Sequence, residues 1–224
     1  IAPPPPTRNG KIVPNVIYPE IHSDERKNFH IQNDHIGEGT PTERFYHNIH
    51  AIELIKKLEN EHRLANDLEQ DVLSDYVGWG GLPQFFEEDN PHYEELKNLL
   101  TEEEYASARE SSLTAFYTPP VVIKAMYQAL ENMGFRSGNL LEPSCGVGNF
   151  IGLVPDSMKK SQMFGVELDS ISGRIAQQLY QSTSVAVQGF EKTELPDNFF
   201  DVAIGNVPFG NYKIPDKRYD KNNF

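Results

Sequence analysis

Residues 140–150 read LLEPSCGVGNF, a short apolar run followed by a turn with glycines at positions 146 and 148. Glycine leaves the backbone N–H groups of such a turn open to a ligand, because no Cβ stands in the way. If a helix follows the turn, its N-terminus favours a carboxylate or another anion. The dinucleotide-binding fingerprint has a third glycine where Ile151 stands, which argues against a bound pyrophosphate. Taken alone, the segment is also compatible with an ordinary strand-to-helix turn.

Two acidic residues, Glu167 and Asp169, end the next apolar run. A carboxylate at the end of a strand in a doubly wound sheet can accept hydrogen bonds from the hydroxyl groups of a ribose. Either residue could instead be a solvent-exposed charge or a helix N-cap. Together with the glycine turn, the two residues favour a nucleoside ligand.

Residues 201–210 read DVAIGNVPFG, a strand that ends in a polar and aromatic loop. A second segment of this kind, residues 116–120 (FYTPP), lies upstream of the glycine turn. A plain strand-to-loop turn is the alternative interpretation of residues 206–209 taken alone.

These segments lie in a half of the chain where short apolar runs alternate with helical patterns. The apolar runs are residues 140–141, 163–168, 184–187 and 200–204. The helical patterns cover residues 120–133, a stretch from Asn149, and a stretch that contains Ile171, Ile175 and Leu179. Such alternation is typical of a parallel sheet with helical crossovers, which is an α/β fold. Ligands of these sheets bind beyond the carboxyl ends of the strands.

The first half of the chain has a different pattern. Apolar residues recur at helical spacing over residues 42–63, a second helix is predicted over 65–76, and glycines at 78, 80 and 81 must end it. Thr101 followed by Glu104 predicts a capping box at the start of a later helix. The expected organisation is an irregular strap or linker over 1–40, a helical region over 41–113 and a core over 114–224.

Charge also divides the chain, because residues 1–113 hold 22 of its 33 acidic side chains and 10 of its 20 basic ones. A net charge of −13 disfavours nonspecific binding of nucleic acid, so any such role must be local or supplied by other parts. The single cysteine, Cys145, excludes an intramolecular disulfide and suits the cytoplasm. No apolar run approaches the ~18 residues that span a bilayer, so no membrane association is expected.

Two further observations bear on the class of protein. His47 and His50 lie three positions apart on a predicted helix, but no carboxylate pattern accompanies them, so no metal site is predicted. The chain begins at Ile1 and not at a methionine, which suggests a fragment of a larger polypeptide.

Five segments, taken in order, resemble the motifs of S-adenosylmethionine-dependent N6-adenine DNA methyltransferases. They are 116–120 (FYTPP), 142–150 (EPSCGVGNF), 165–169 (GVELD), 189–191 (GFE) and 206–209 (NVPF). The match is similar to the methylase portion of large helicase–methylase proteins of bacterial mobile elements, and it covers residues 115–212. The resemblance implies a Rossmann-like class I methyltransferase sheet, incomplete on its C-terminal side, with S-adenosylmethionine as cofactor and a role in restriction–modification.

The resemblance also implies roles for individual residues. The cofactor-binding residues would be Phe116, Tyr117, Thr118, Pro143, Ser144, Cys145, Gly146, Gly148, Glu167, Leu168 and Phe190. Among them, Glu167 would hold the ribose, and Leu168 with Phe190 would sandwich the cofactor's adenine. The catalytic residues would be Asn206, Val207, Pro208 and Phe209. The Asn206 side-chain oxygen and the Val207 carbonyl would accept hydrogen bonds from the target amino group, and Phe209 would stack on a flipped-out base.

Two positions depart from the family pattern. Gly189 stands where the family often has an aspartate that binds the adenine amino group. The backbone, a water molecule or Glu191 must therefore recognise the adenine at this position. Val207 replaces the first proline of the catalytic loop, although its carbonyl is retained. DNA would be bound through regions largely absent from this sequence, alongside the remaining domains of a larger polypeptide.

Three other interpretations remain open. A noncatalytic methylase-like module could serve for cofactor binding or assembly, and a methyltransferase could act on protein glutamine, whose amide presents the same two donors. A nicotinamide-dependent oxidoreductase is disfavoured by Ile151.

Overall fold

The computed structural model describes residues 7–8, 11–12, 15–32, 36–113 and 116–207. In this part of the chain, the strands of the main sheet are β3 (Asn139–Glu142), β4 (Gln162–Glu167), β5 (Ser184–Val187) and β6 (Val202–Ala203). A separate antiparallel pair is formed by β1 (Thr7–Arg8) and β2 (Lys11–Ile12). The helices are α1 (Pro41–Asn60), α2 (Asp67–Ser74), α3 (Tyr93–Leu99), α4 (Glu102–Ser111), α5 (Pro120–Asn132), α6 (Asn149–Gly152) and α7 (Ser170–Leu179).

All pairings in the main sheet are parallel, and the strand order is β5-β4-β3-β6. The chain therefore builds outward from β3 to β5 on one side and then returns to place β6 on the other side of β3. This reversal between β3 and β6 is the topological switch point of a doubly wound sheet. The predicted Rossmann-like α/β fold is confirmed.

The predicted helices are present, with ends that differ by a few residues. The periodicity predicted a helix over 42–63, but α1 ends at Asn60 because the chain turns at His62, which has a φ of +50°. The last buried apolar residue of α1 is Leu58, so periodicity could not locate the end of the helix. The capping box predicted at Thr101 and Glu104 is confirmed at the start of α4.

The helical region packs against α7 through buried polar contacts as well as apolar ones. The Gln70 side chain donates to the backbone carbonyls of Gln178 and Leu179, both at 3.0 Å. The Arg174 guanidinium pairs with Glu59 at 3.1 Å and with Glu104 at 2.5 Å. One cluster of buried apolar side chains runs through the helices and the sheet side of α7.

Residues 27–31 lie across the α/β unit as a short strap. The Phe29 amide donates to the Leu179 carbonyl at 2.7 Å, and the Ile31 amide donates to the Gly152 carbonyl at 3.0 Å. Ile31 is buried in the same apolar cluster. The strap thus fixes the end of α7 against the helix that follows the glycine turn.

A second, smaller apolar cluster lies on a different part of the sheet. Leu141, Phe164 and Val166 pack there against side chains of the β5–β6 connection, among them Phe199 and Phe200. The sequence predicted a strand over 200–204, but β6 is shorter, and Phe200, which precedes it, packs edge-on against Phe164. No helix among the described residues has the length and apolar character that crossing a membrane requires.

Candidate active site

A cavity of about 180 Å³ opens at the carboxyl ends of the strands. Its lining includes Glu142 at the end of β3, Glu167 at the end of β4, and Asn206 beyond the end of β6. Four of the five motif segments, all except 189–191, therefore meet at one cavity beside the switch point, where doubly wound sheets bind their ligands.

The glycine turn requires glycine at both positions. Gly146 has a φ of +54° and Gly148 a φ of +85°, a backbone region that side chains rarely adopt. A Cβ at Gly146 would overlap the ring of Tyr117, and one at Gly148 would overlap the ring of Tyr180. Gly146 faces the cavity, whereas Gly148 packs against the interior and does not line it. Gly146 thus leaves room at the cavity, and Gly148 leaves room for packing in the interior.

Glu167 connects the glycine turn to the next strand. Its carboxylate oxygens accept hydrogen bonds from the backbone N–H groups of Gly146 at 2.6 Å and of Asp169 at 2.8 Å. Burial raises the pKa of Glu167, and these two hydrogen bonds oppose the rise. A carboxylate can accept about four hydrogen bonds, so one from a ligand hydroxyl can be added and the ribose role stays a prediction that the geometry permits.

Asp169 has the second role considered from the sequence, that of a helix N-cap. Its side chain accepts from the Ser172 backbone N–H at 2.8 Å and from the Ser172 hydroxyl at 2.7 Å, which caps α7. The Ser107 hydroxyl of α4 also donates to Asp169, at 3.0 Å. Asp169 still lines the cavity, so its charge contributes to the electrostatics there.

The upstream aromatic segment forms one wall of the cavity. Tyr117 is held between Gly146 and Gly78 of the helical region, and its hydroxyl lies 3.3 Å from that of Ser172. Phe116 and Thr118 also line the cavity, with the Phe116 side chain 63% exposed at its mouth. Burial raises the pKa of Tyr117 well above its ordinary value, so its hydroxyl stays protonated.

The backbone that follows β6 brings Asn206 and Val207 to the cavity. A Cβ at Gly205 would lie 3.5 Å from Glu142 Cγ and from Pro143 Cδ, so the backbone after β6 runs alongside the end of β3. Both Asn206 and Val207 are exposed. The predicted residues Pro208 and Phe209 lie outside the described residues.

Other predicted cofactor residues are placed differently. Ser144 and Cys145 line the cavity, and burial raises the pKa of the Cys145 thiol well above its ordinary value. Pro143, Leu168 and Phe190 do not line it. Leu168 is 72% exposed and Phe190 44% exposed, so their role around an adenine ring stays a prediction.

A neighbouring carboxylate fills the space beside Gly189, the residue that departs from the family pattern. A Cβ at Gly189 would overlap the carboxylate oxygens of Glu191. The Glu191 side chain thus folds back over the place where residue 189 would carry an acidic group. Its suggested part in adenine recognition stays a prediction.

Sequence reasoning missed several residues of the cavity wall. Tyr76, Gly78 and Trp79 of the helical region line the cavity, and so do Glu142 and Asn149, which flank the glycine turn. The glycines around Trp79 were an available signal. Trp79 is 2% exposed and packs edge-on against Phe86, and it borders the cavity as well.

Acidic side chains, and no basic ones, line the described part of the cavity. Glu142, Glu167 and Asp169 are its ionisable acidic groups, and no lysine, arginine or histidine is among its lining residues within the described chain. Across the described residues, no group of three or more His, Cys, Asp or Glu side chains is arranged to hold a metal ion. Within the described residues, the lining thus offers acidic side chains to a ligand and no basic one.

Three curated relatives are similar to this chain, and no family model matches it. "Defense against restriction protein B" of Escherichia phage P1 is 30% identical over 174 residues, which are 75% of this chain and 6% of the relative. "Type II methyltransferase M.CvrRI" of Paramecium bursaria Chlorella virus XZ-6E is 33% identical over 94 residues, 42% of this chain and 24% of the relative. "Modification methylase CviBIII" of Paramecium bursaria Chlorella virus NC1A is 27% identical over 116 residues, 51% of this chain and 29% of the relative.

The chain thus spans less than a third of each of these relatives. Among solved structures, a class I S-adenosylmethionine-dependent methyltransferase of Listeria monocytogenes aligns with 73% of this chain and 51% of its own. Its TM-score is 0.41 at 19% sequence identity. The relatives include methyltransferases, the class of enzyme that the motifs resemble.

Proposed function

We propose that this chain is the cofactor-binding and catalytic part of an S-adenosylmethionine-dependent DNA methyltransferase. The observation that carries the proposal is the cavity, where the glycine turn, Glu167 and Asn206 meet around carboxyl groups with no basic side chain in the lining. S-adenosylmethionine carries a sulfonium and an ammonium group, so its charge complements this lining. A dinucleotide carries a pyrophosphate, for which the described lining offers no basic side chain.

The residues present fit this cofactor. Glu167 has free lone pairs for the ribose hydroxyls, and the open side of Gly146 admits the ligand against the turn. Tyr117 and Thr118 close the wall beside it. When bound, the cofactor supplies a methyl group on a positively charged sulfur. The chain's own part is to hold that methyl and the acceptor nitrogen in line, which is catalysis by positioning.

The acceptor is an amino group, and we assign it to adenine N6. The amide oxygen of Asn206 and the backbone carbonyl of Val207 can accept its two N–H groups, which draws the nitrogen lone pair out of conjugation with the ring. The Asn206 and Val207 side chains are exposed at the cavity, so a base that has left the duplex can approach them. A type II methyltransferase and a modification methylase among the relatives support DNA as the substrate.

The biological setting we propose is protection of mobile-element DNA against restriction. The phage relative is, by its name, a defence against restriction, and the chain matches only 6% of it. The remaining domains of a larger polypeptide would then supply DNA binding, since the net charge of −13 does not favour it here.

A second candidate, a module that binds the cofactor without transferring its methyl group, is favoured by one observation. Val207 replaces the proline that would restrict the backbone of Asn206. The two candidates differ in transfer and not in binding.

Calorimetry and a radiolabelled transfer assay separate these proposals. We expect S-adenosylmethionine to bind and NAD⁺ to give no heat, and labelled methyl to appear on unmethylated duplex DNA and not on a glutamine peptide. Transfer to the peptide would replace DNA by protein as the substrate. Binding without transfer to either would favour the noncatalytic module, and binding of NAD⁺ alone would overturn the proposal.

A further inference from the structure

Exposed side chains border the mouth of the cavity. Phe116, which is 63% exposed, lines the cavity together with Asn206 and Val207, which are exposed as well. A base that reaches Asn206 must pass this mouth, and the phosphates on either side of that base remain outside. The described lining has acidic side chains and no basic one, so it does not attract these phosphates. Binding of the target nucleotide therefore requires a basic side chain close to the mouth.

Arg44, near the start of α1, lies beside this mouth. The space that the absent Cβ of Gly81 leaves open is bordered by both side chains, because the Cβ position is 3.5 Å from Phe116 Cε1 and 3.8 Å from Arg44 Nη2. The Phe116 ring and the end of the Arg44 side chain thus approach the same point. Because Phe116 also lines the cavity, the guanidinium group of Arg44 is close to the entrance without being part of the lining.

The neighbours of Arg44 on α1 hold the helix against the cavity wall. Asn48, one helical turn further on, donates to the Gly78 carbonyl at 2.7 Å. Phe45 packs against the ring of Trp79, with the ring centroids 6.2 Å apart. Gly78 and Trp79 both line the cavity. The backbone that carries Arg44 is therefore fixed in place beside the cavity wall.

No described residue pairs with the charge of Arg44. Its Nε is buried without a hydrogen-bond partner, and neither Nη1 nor Nη2 forms a hydrogen bond or an ion pair with a described residue. Arg63 and Arg174, by contrast, are each paired with two glutamates. Helix formation does not account for Arg44 either, because the N-terminal end of a helix favours anions over cations. Since buried polar groups are nearly always paired, these donors indicate an anion from outside the described chain.

We propose that Arg44 binds a phosphate next to the extruded target nucleotide and so holds the DNA strand at the mouth of the cavity. This inference rests on the proposed function and deepens it, because it names a residue of the helical region that touches the substrate. The planar guanidinium can donate two parallel hydrogen bonds to one phosphate, which the ammonium group of a lysine cannot do. An exposed aromatic ring beside a basic group, here Phe116, is the combination that binds unpaired nucleotides.

Methyl transfer to unmethylated duplex DNA at salt concentrations between about 50 and 200 mM tests the inference. Arg44→Met should raise the KM for DNA about tenfold and leave kcat unchanged, because a charge-assisted hydrogen bond to a phosphate is lost. The slope of log kcat/KM against log salt concentration should become shallower by about 0.9, the contribution of one phosphate. Affinity for S-adenosylmethionine, measured by calorimetry, should be unchanged, because Arg44 does not line the cavity.

Two further variants control for charge and for folding. Arg44→Lys keeps the charge and loses the paired hydrogen bonds, so it should keep the salt slope and recover only part of the affinity for DNA. Arg136→Met is the matched control, because it removes an exposed arginine that precedes β3, at the end of the strand away from the cavity. It should change neither the KM nor the slope. If Arg44→Met does not fold, as judged by circular dichroism, Arg44→Gln replaces it.

The outcomes separate this inference from the function on which it rests. If the wild-type chain transfers no methyl group to DNA, the proposed function fails and the phosphate contact with it. If the wild-type chain methylates DNA and Arg44→Met keeps the KM and the salt slope, the phosphate contact alone is overturned. An Arg44→Met variant with a raised KM but an unchanged slope, or with weakened S-adenosylmethionine binding, would also overturn it, because these results indicate a structural role.

Discussion

The two sides of the cavity are built in different ways. On the side of β3 and β4, Glu167 accepts two backbone hydrogen bonds and Tyr117 packs, partly buried, against Gly146. On the side of β6, Asn206 and Val207 are exposed, with Val207 54% exposed. A buried, hydrogen-bonded wall suits a ligand that is held in one pose. An exposed wall suits a group that must arrive and leave at every turnover.

The difference between the two walls of the cavity is tested most directly at Gly146, on the side of β3 and β4. Gly146→Ala should abolish cofactor binding measured by calorimetry, because a left-handed residue with a Cβ is strained by about 1–2 kcal/mol and the Cβ displaces the Tyr117 ring. Gly134→Ala is the control for backbone strain alone, since Gly134 has a φ of +91° with no atom near its Cβ position. That variant should lose stability and keep binding; retained binding by Gly146→Ala would argue against the placement of the ligand.

The exposed side is tested by Asn206→Ala. We expect methyl transfer to fall about 10²-fold, comparable to the loss of one transition-state hydrogen bond in other enzymes, with cofactor affinity unchanged. Radiolabel incorporation and calorimetry measure the two quantities. The exposed Asn98→Ala on α3 should alter neither. An Asn206→Ala variant that transfers methyl groups at the wild-type rate would remove the catalytic assignment.

The helical region forms a third part of the wall, and Arg174 tests how firmly it is held. Arg174→Met leaves Glu104, whose side chain is 8% exposed, with Lys56 as its remaining ion-pair partner. Allowing for the partial exposure of this network, we expect the free energy of unfolding to fall by about 1–2 kcal/mol in a denaturant titration. Arg136→Met, which removes only hydrogen bonds to backbone carbonyls, should change it less. Equal effects would show that the network does not hold the helices.

The smallest effect concerns the pH dependence of stability. The unfolded chain ionises Glu142 at its ordinary pKa, whereas the folded chain retains the proton to higher pH. Stability should therefore fall as pH rises from the ordinary glutamate pKa through the raised one. In thermal unfolding, the stability of Glu142→Gln should fall less steeply with rising pH than that of the wild type. The remaining fall should be due to Glu167, whose pKa is also raised. Parallel pH curves for the two proteins would mean that Glu142 is not the group responsible.

The sequence predicted the parts of the site that depend on local patterns. The apolar runs gave β3 and β4, and the spacing of Ile171, Ile175 and Leu179 gave α7, because each pattern is contained within one element. The parallel order then predicted that the glycine turn, Glu167 and Asn206 would lie at the same edge of the sheet. The ordered motifs also predicted relatives among methyltransferases, which the comparisons support.

The remaining parts depend on contacts between distant residues. The approach of Gly78 and Trp79 to the cavity requires α2 to dock on α7 through Gln70 and Gln178, and no local pattern encodes that docking. The burial of Glu142 was equally hidden, since a glutamate at a strand end is more often solvated. Leu168 and Phe190 were assigned from the resemblance alone, and the fold leaves both exposed.

A crystal structure of this chain grown with S-adenosylmethionine tests the central claim most directly. The account predicts the ligand in the cavity beside Gly146, its ribose on Glu167, and its methyl group facing the amide oxygen of Asn206. A ligand bound elsewhere on the sheet, or an Asn206 side chain turned away from the methyl group, would contradict it.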